Sequence, residues 1–235
     1  MTGWHEEIIG DARLILGDCR DVLPTLDKTD AVICDPPYGI GHVKGASGKG
    51  EHSVRNLAPV IGDDSPFDPS DFIKFNDCIL WGANHYAQRL PHGRWLAWDK
   101  LGGLQSFDSF SDVEFAWQKG RGKDRIFSHL WKGICKASEK GGRERWHPTQ
   151  KPIALMEWCL GLIPNARTII DPFMGSGTTG VACIKIGRPF IGIELDPSYF
   201  EIACRRIEAA YKQPRLFADP VAKAEQPDML NGAAV

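Results

Sequence analysis

Seven short apolar runs, separated by helical patterns and turns, constrain the fold of this chain more than any other feature. The runs span residues 13–16, 31–34, 78–81, 94–98, 113–117, 168–170 and 190–193. Runs of this length, bounded by turn residues, are typical of buried strands. A helical pattern follows Pro152, and a stronger one begins at Pro197, directly after Asp196, which can cap it. The alternation of strands and helices predicts an α/β fold with a doubly wound sheet of about seven strands.

Length and composition favour a single domain over residues 1–212. Of the 235 residues, 43% are hydrophobic and 25% are charged, so the chain can bury a large core and keep a charged surface. Residues 39–64 and 119–146 interrupt the pattern of strands and helices and are predicted to be surface loops. Residues 213–235 contain three prolines and no apolar period, which predicts a flexible tail.

The composition also excludes several classes of protein. No apolar run approaches the ~20 residues of a membrane span, and the chain does not start with a signal region, so we expect a cytoplasmic protein without membrane contact. The seven cysteines include no C-x-x-C pair, and the histidines are not spaced as metal ligands with cysteines or acids. We therefore expect neither disulfides nor a metal. The sequence leaves open whether the chain forms a homodimer.

A glycine turn follows one of the predicted strands. It runs from Asp171 through Gly175 and Gly177 into a helix, and glycines in such a turn let backbone N–H groups approach a ligand. Glu194 ends the next predicted strand, where an acid can accept hydrogen bonds from ribose hydroxyls. The turn lacks the Gly-Lys-Ser/Thr ending of a P-loop, and Asp171 would repel a pyrophosphate. A positively charged nucleoside such as S-adenosylmethionine therefore fits better than NAD or ATP.

A second element, Asp35-Pro36-Pro37-Tyr38, ends another predicted strand. The amine of a nucleobase is a poor nucleophile, and acceptors aimed at its hydrogens help it to attack a methyl sulfonium. The Asp35 carboxylate and the Pro36 carbonyl are candidates for these acceptors, because prolines fix the backbone and add no N–H donor. Tyr38 can stack on the base. Both elements follow strands of an open sheet, so we expect them to meet in one crevice.

With both elements present, the chain resembles the S-adenosylmethionine-dependent DNA amino-methyltransferases, specifically the permuted β group, in which the D-P-P-Y element precedes the F-x-G-x-G element. The match includes Gly17-Asp18, the run from His147 to Pro152, and the run that contains Glu194. The resemblance implies a circularly permuted, Rossmann-like methyltransferase sheet that binds S-adenosylmethionine and acts on double-stranded DNA.

The resemblance also implies roles for individual residues. Asp18 would contact the adenine ring of the cofactor, and Glu194 would hold its ribose. The methionine end would be surrounded by Thr149, Lys151, Asp171, Phe173, Gly175, Gly177 and Thr178. The catalytic element would be Asp35, Pro36, Pro37 and Tyr38.

The residue that opens the catalytic element indicates the target base. In this family aspartate usually accompanies adenine N6 and serine usually accompanies cytosine N4, so Asp35 favours adenine. Cytosine N4 methylation, amine methylation of RNA and a non-catalytic subunit that binds cofactor or DNA stay open as alternatives. The chain leaves little room for a target-recognition domain, so methylation at one motif and methylation with relaxed specificity are both open.

Basic residues are concentrated in one segment although the formal net charge of the chain is −2. Residues 119–151 contain ten basic and three acidic side chains. We expect DNA phosphates to bind beside the catalytic crevice at Arg121, Lys123, Arg125, Arg143 and Arg145. A second set in the loop 39–64, Lys44, Lys49 and Arg55, is expected to contact DNA near the flipped base.

Overall fold

The computed structural model describes residues 3–26, 31–39, 63–106, 111–132, 135–138 and 150–213. Six residues with an expected role lie outside these ranges: Lys44, Lys49, Arg55, Arg143, Arg145 and Thr149. Their roles stay predictions. Most of the loop predicted at 39–64 and nearly all of the tail predicted at 213–235 also lie outside the described residues.

Strands and α-helices alternate over residues 153–212, as predicted, whereas no α-helix lies among the described residues between 31 and 136. The strands are β1 (His5–Ile9), β2 (Ala12–Leu16), β3 (Ala31–Cys34), β4 (Asp77–Trp81), β5 (Gly93–Asp99), β6 (Val113–Lys119), β7 (Arg125–Ser128), β8 (Trp131–Lys132), β9 (Cys135–Lys136), β10 (Ile169–Asp171) and β11 (Phe190–Glu194). The helices are α1 (Cys19–Val22), α2 (Ile153–Leu162), α3 (Thr178–Lys185) and α4 (Pro197–Lys212). None of these helices combines the length and the apolar character that a membrane crossing requires.

Nine strands form one sheet in the order β1-β2-β11-β10-β3-β4-β6-β5-β7, and β8 pairs with β9 separately. The five strands from β2 to β4 in this order are parallel. β6 is antiparallel to both of its neighbours, and β1 is antiparallel to β2. The chain continues from β10 to β11 on one side and from β3 to β4 on the other. The strand order therefore reverses between β10 and β3, the place where open α/β sheets bind ligands.

All seven predicted strands are present, but the main sheet has nine strands rather than about seven. The two additional strands, β1 and β7, are the edges of this sheet, and they carry exposed apolar side chains such as Ile8 and Ile126. Exposed edge strands lack the apolar pattern that identifies buried strands. The prediction of a surface loop over residues 119–146 is wrong for β7, β8 and β9, which fall within that range.

The central strands are buried on both faces because successive side chains point to opposite sides of the sheet. On one face Ile33 and Ile79 belong to a core cluster with residues of α2, α3 and α4. On the other face Val32 packs in a cluster with α1 and with Phe67 and Phe72. In the described part of the chain, irregular segments, α1 and short 3-10 helices cover this second face in place of long helices.

Candidate active site

A large cavity lies beyond the carboxyl ends of the parallel strands, where β10 and β3 are neighbours. Its volume is about 1690 Å³, whereas a pocket for one drug-sized ligand measures ~300–1,000 Å³. The glycine-turn side of the cavity is lined by Gly17, Asp18, Phe173, Gly175, Glu194 and Tyr199. The Asp35 side is lined by Asp35, Pro36, Tyr38, Glu114, Trp131 and Lys151. The cavity is therefore large enough for two adjacent ligands.

On the glycine-turn side, the turn folds around the carboxylate of Glu194. The N–H of Gly175 donates to Oε2 over 2.8 Å, and the N–H groups of Leu195 and Asp196 donate to Oε1 over 2.9 and 2.8 Å. Gly175 has a φ of 51°, which a glycine adopts without strain. Burial raises the pKa of Glu194, although the three N–H groups oppose this rise. A carboxylate offers about four acceptor positions, so Glu194 retains acceptor capacity for a ligand in the cavity.

Two residues of the predicted cofactor set, Gly177 and Thr178, contact α4. Gly177 has a φ of 78°, and a Cβ atom at this position would lie 3.0 Å from the Cβ of Ala203. Thr178 is buried, and its Oγ1 accepts a hydrogen bond from Nη1 of Arg206 over 3.2 Å. The structure thus gives both residues a role in joining α3 to α4. Their predicted contacts with a cofactor stay predictions.

Asp171 and Asp18 are both engaged by protein donors. Asp171 accepts hydrogen bonds from the N–H of Phe173 over 3.1 Å and from Oγ1 of Thr179 over 2.6 Å. Burial raises the pKa of Asp171 to about 7. Asp18 caps α1 and pairs with Arg20, whose hydrogen bond lowers the pKa of Asp18. Asp18 lines the cavity, whereas Asp171 is buried within the turn.

The glycine-turn side also contains two aromatic rings, those of Phe67 and Phe72, that no motif predicts. The ring of Phe173 packs against those of Phe67 and Phe72, with centroids 5.9 and 5.6 Å away. Tyr199, in the first turn of α4, lines the same part of the cavity. Residues 66–75 have no apolar period that distinguishes them from an ordinary loop, so the sequence contains no signal for these rings.

On the opposite side, the segment from Asp35 to Tyr38 leaves the end of β3, and all four of its residues line the cavity. The Tyr38 hydroxyl donates to Oδ1 of Asp35, and Nζ of Lys151 donates to Oδ2. The Tyr38 ring stacks on His85, with centroids 4.9 Å apart and planes inclined by 15°. A Cβ atom at Gly82 would lie 1.9 Å from the Tyr38 ring, so only glycine leaves room for the ring there.

A row of alternating charges extends from Asp35. Lys151 Nζ, which contacts Asp35, lies 3.3 Å from Oε2 of Glu114, and Nζ of Lys100 donates to Oε1 of Glu114 over 3.1 Å. Burial raises the pKa of Asp35 despite the neighbouring Lys151. Burial also disfavours ionised Glu114, but Lys151 and Lys100 hold the pKa of Glu114 below its ordinary value. The predicted place of Lys151 at the cofactor stays a prediction, while the structure places its ammonium group at Asp35.

The described lining of the cavity is acidic. It contains nine acidic and five basic side chains. Each of the five basic side chains forms an ion pair: Arg20 with Asp18, Lys74 with Asp71, Lys100 with Glu114, Lys132 with Asp112, and Lys151 with Asp35. Such a lining attracts a cation more than a phosphate. Within the described residues, no group of three histidine, cysteine or acidic side chains is placed to hold a metal ion.

The basic residues Arg121 and Lys123 follow the end of β6, on the side of the sheet where β5 begins. In the antiparallel pair of β5 and β6, Lys119 at the end of β6 is opposite Gly93 at the start of β5. β5 has seven residues and spans about 20 Å at ~3.3 Å per residue. The cavity lies beyond the opposite end of β5, and Arg125 pairs with Leu96 in the middle of that strand, so Arg121, Lys123 and Arg125 are not part of the described cavity lining. DNA contact elsewhere on this surface stays a prediction.

Comparison with known proteins identifies the family of the chain. A family model described as DNA methylase, covering the N6 and N4 methyltransferases, matches residues 66–205. This range includes the glycine turn, Glu194 and, on the Asp35 side, Glu114, Trp131 and Lys151, whereas the segment from Asp35 to Tyr38 precedes it. The chain belongs to this family of DNA methylases.

One relative, the type II methyltransferase M2.DpnII of Streptococcus pneumoniae, is 49% identical over 70 residues. The match covers 28% of this chain and 26% of the relative, so the chain spans about a quarter of the length of the relative it matches.

Two solved structures share the fold. The M1.HpyAVI complex with S-adenosylmethionine has a TM-score of 0.51 and 23% identity, covering 83% of this chain and 98% of that chain. The cytosine-N4-specific PvuII DNA methyltransferase has a TM-score of 0.54 and 13% identity, covering 86% of this chain and 91% of that chain. This likeness establishes a Rossmann-like methyltransferase fold.

Proposed function

We propose that the protein is an S-adenosylmethionine-dependent DNA methyltransferase that transfers a methyl group to N6 of an adenine flipped out of double-stranded DNA. The observation that carries the proposal is the convergence of two elements on one cavity. Glu194 and the glycine turn line one side, and Asp35 with Tyr38 lines the other. This arrangement provides a nucleoside site and an amine site next to each other.

The chemistry of the glycine-turn side fits S-adenosylmethionine, which carries a positive charge on sulfur. Glu194 offers acceptor capacity for ribose hydroxyls, and Asp18 is a further acceptor for the adenine amine of the cofactor. The aromatic rings around Phe173 provide apolar surface. The acidic lining favours a cationic ligand over NAD or ATP, whose phosphates it would repel.

On the Asp35 side, the protein would position the amine of the target base. The carboxylate of Asp35 and the carbonyl of Pro36 accept its two hydrogens, which directs the nitrogen lone pair toward the methyl group that bound S-adenosylmethionine supplies. Tyr38 stacks on the base. Because the Tyr38 hydroxyl donates to Asp35, an amine that binds the same oxygen has to displace this hydroxyl. After transfer the nitrogen becomes acidic, and water or Asp35 accepts its proton.

The DNA substrate imposes a further step. The amine of a paired adenine is inaccessible within the duplex, so the base must be flipped into the cavity at a cost of a few kcal/mol. Phosphate contacts that offset this cost have to come from outside the acidic lining described above. The basic residues beyond the described ranges, among them Lys44, Lys49, Arg55, Arg143 and Arg145, are the candidates.

Adenine is proposed as the target because aspartate opens the catalytic element. Product analysis tests the choice. Unmethylated duplex DNA is incubated with the protein and labelled S-adenosylmethionine, digested to nucleosides and analysed by mass spectrometry, with Asp35→Asn as the control for host enzymes. N6-methyladenine is the expected product. N4-methylcytosine would contradict adenine specificity, and methylation of RNA alone would contradict the DNA substrate.

Mapping the modified positions tests the degree of specificity. Methylation at one short motif would identify a site-specific enzyme, and methylation of many unrelated adenines would identify relaxed specificity.

A further inference from the structure

The charge row around Asp35 contains two residues for which the proposed reaction has so far needed no role. Lys151 is 6% exposed, and its ammonium group contacts the carboxylates of both Asp35 and Glu114. The ammonium group also lies 5.8 Å from the ring centroid of Trp81, whose π face attracts a cation. Glu114 is held in turn by Lys100. The four charges come from separate parts of the chain and alternate in sign.

We propose that Lys151 and Glu114 are positioning residues that set the charge of Asp35 and hold one of its oxygens, leaving the other for the amine of the target base. This inference rests on the proposed function, because it takes Asp35 as the acceptor of the amine hydrogens. The proposed role of both residues is electrostatic. Lys151 keeps Asp35 ionised, and Glu114 limits how strongly Lys151 binds Asp35.

Burial explains why Asp35 needs Lys151. A buried carboxylate without a partner takes up a proton, because the charged form loses its hydration. Protonated Asp35 would offer fewer acceptor positions to an amine. Lys151 opposes protonation by placing its ammonium group on Oδ2. The remaining oxygen, Oδ1, accepts a hydrogen bond from the Tyr38 hydroxyl.

Glu114 weakens the ion pair between Lys151 and Asp35, because it competes for the same ammonium group. Lys151 shares its charge between two carboxylates, and Lys100 balances the second one. The other titratable groups that interact with Asp35 are Cys34 and Tyr38 on its own segment, Asp171 on β10 and Tyr86 after β4. Burial raises the pKa of the thiol and of both phenols, so these three groups stay neutral near pH 7.

The experiment measures the titration of Asp35 directly, without methyl transfer. The protein is labelled with 13C in the aspartate carboxyl groups, and Asp35→Asn identifies the Asp35 signal by its loss. In Lys151→Met the titration of Asp35 is expected to move to higher pH by about 1 to 3 pH units, the usual effect of losing an adjacent opposite charge. In Glu114→Gln it is expected to move to lower pH, because a nearby negative charge is removed.

Matched variants distinguish this role from general damage to the fold. Lys151→Arg keeps the charge and is expected to leave the titration close to that of the wild type. Lys185→Met removes a lysine that pairs with Glu157 over 2.6 Å between α3 and α2, outside the cavity lining, and should not move the signal. If Lys151→Met does not fold, Glu114→Gln and Lys151→Arg still test the proposal. An Asp35 titration that stays unchanged in Glu114→Gln, or that moves upward there, overturns it.

Kinetics connect the titration to the reaction. The acidic limb of the kcat profile should follow the Asp35 titration in each variant, while the Kd for S-adenosylmethionine stays unchanged in Glu114→Gln. If the wild type transfers no methyl group to DNA but the titrations move as expected, the proposed function is wrong and the electrostatic role of Lys151 and Glu114 stands. If methyl transfer occurs and its profile ignores both substitutions, the positioning role is wrong and the proposed function stands.

Discussion

The two sides of the cavity hold their carboxylates in different ways. On the glycine-turn side, Glu194 is bound by three backbone N–H groups. On the other side, Asp35 is bound by the side chains of Tyr38 and Lys151. Backbone donors are fixed once the turn has formed, whereas side-chain donors can move and titrate. Under the proposed function, the comparison predicts a rigid site for the cofactor and an adjustable site for the target base.

The largest expected effect separates the two sides by function. Asp35→Ala should lower methyl transfer by at least about 100-fold, because it removes the acceptor that orients the amine. Binding of S-adenosylmethionine, measured by calorimetry, should be retained, since Asp35 lies on the base side. A loss of cofactor binding as large as that in Gly175→Trp, which fills the glycine turn, would show that the division between the two sides is wrong.

The reverse pattern is expected for Glu194→Ala. Loss of hydrogen bonds from a charged acceptor should raise the Kd for S-adenosylmethionine by about 10- to 100-fold. At saturating cofactor, kcat should change less than it does in Asp35→Ala. Equilibrium binding and steady-state kinetics at several cofactor concentrations check both values. An unchanged Kd would remove Glu194 from the cofactor site.

A smaller effect tests whether the turn is built by its backbone. Gly177→Ala should lower the free energy of unfolding by about 1–2 kcal/mol, because alanine disfavours the positive φ and its Cβ would approach Ala203. Gly161→Ala is the matched control: it lies inside α2 with nothing within 4 Å of its added Cβ, so helix propensity should make it neutral or stabilising. Urea denaturation measures both. Equal stability of the two variants would contradict the structural role of Gly177.

The smallest effect concerns the basic residues Arg121, Lys123 and Arg125, which lie outside the described cavity lining. Replacing Arg121, Lys123 and Arg125 by alanine should leave methyl transfer to a short duplex unchanged, because none of them lines the described cavity and the start of β5, beside Arg121 and Lys123, lies about 20 Å from its cavity end. The salt dependence of binding to such a duplex should also be unchanged. A decrease of the slope by about three phosphate contacts would show that the DNA reaches these residues.

The sequence predicts the parts of this molecule that have a local pattern. The seven internal strands are apolar, the cap of α4 at Asp196 is a recognised start signal, and both motifs lie in the cavity as expected. The edge strands were not predicted because their exposed side chains carry no apolar pattern. A glycine in a turn can make room for a ligand or for a neighbouring helix, and the sequence does not tell which. The contact of Gly177 with α4 could therefore not be distinguished from a contact with the cofactor.

Long-range pairing limits what the sequence can predict about the site. Lys151 and Asp35 are 116 residues apart, and nothing local to either residue indicates their contact. Glu114 lies on a strand whose direction decides that it faces the cavity, and the sequence does not encode that direction locally. The same holds for the basic residues near 121. Their charge is visible in the sequence, but only the register of β5 and β6 shows at which end of these strands they lie.

The position of β10 and β11 within the sheet has a consequence for folding. β2 and β3 follow one another closely in the chain, yet β11 and β10 lie between them. The sheet therefore cannot be completed until residues 169–194 have been synthesised. Its central pairings join strands that are far apart in sequence. Such non-local topologies fold slowly, on a timescale of ~milliseconds to seconds. The two sides of the cavity are thus completed together, and a chain that ends before residue 194 lacks both β11 and the carboxylate of Glu194.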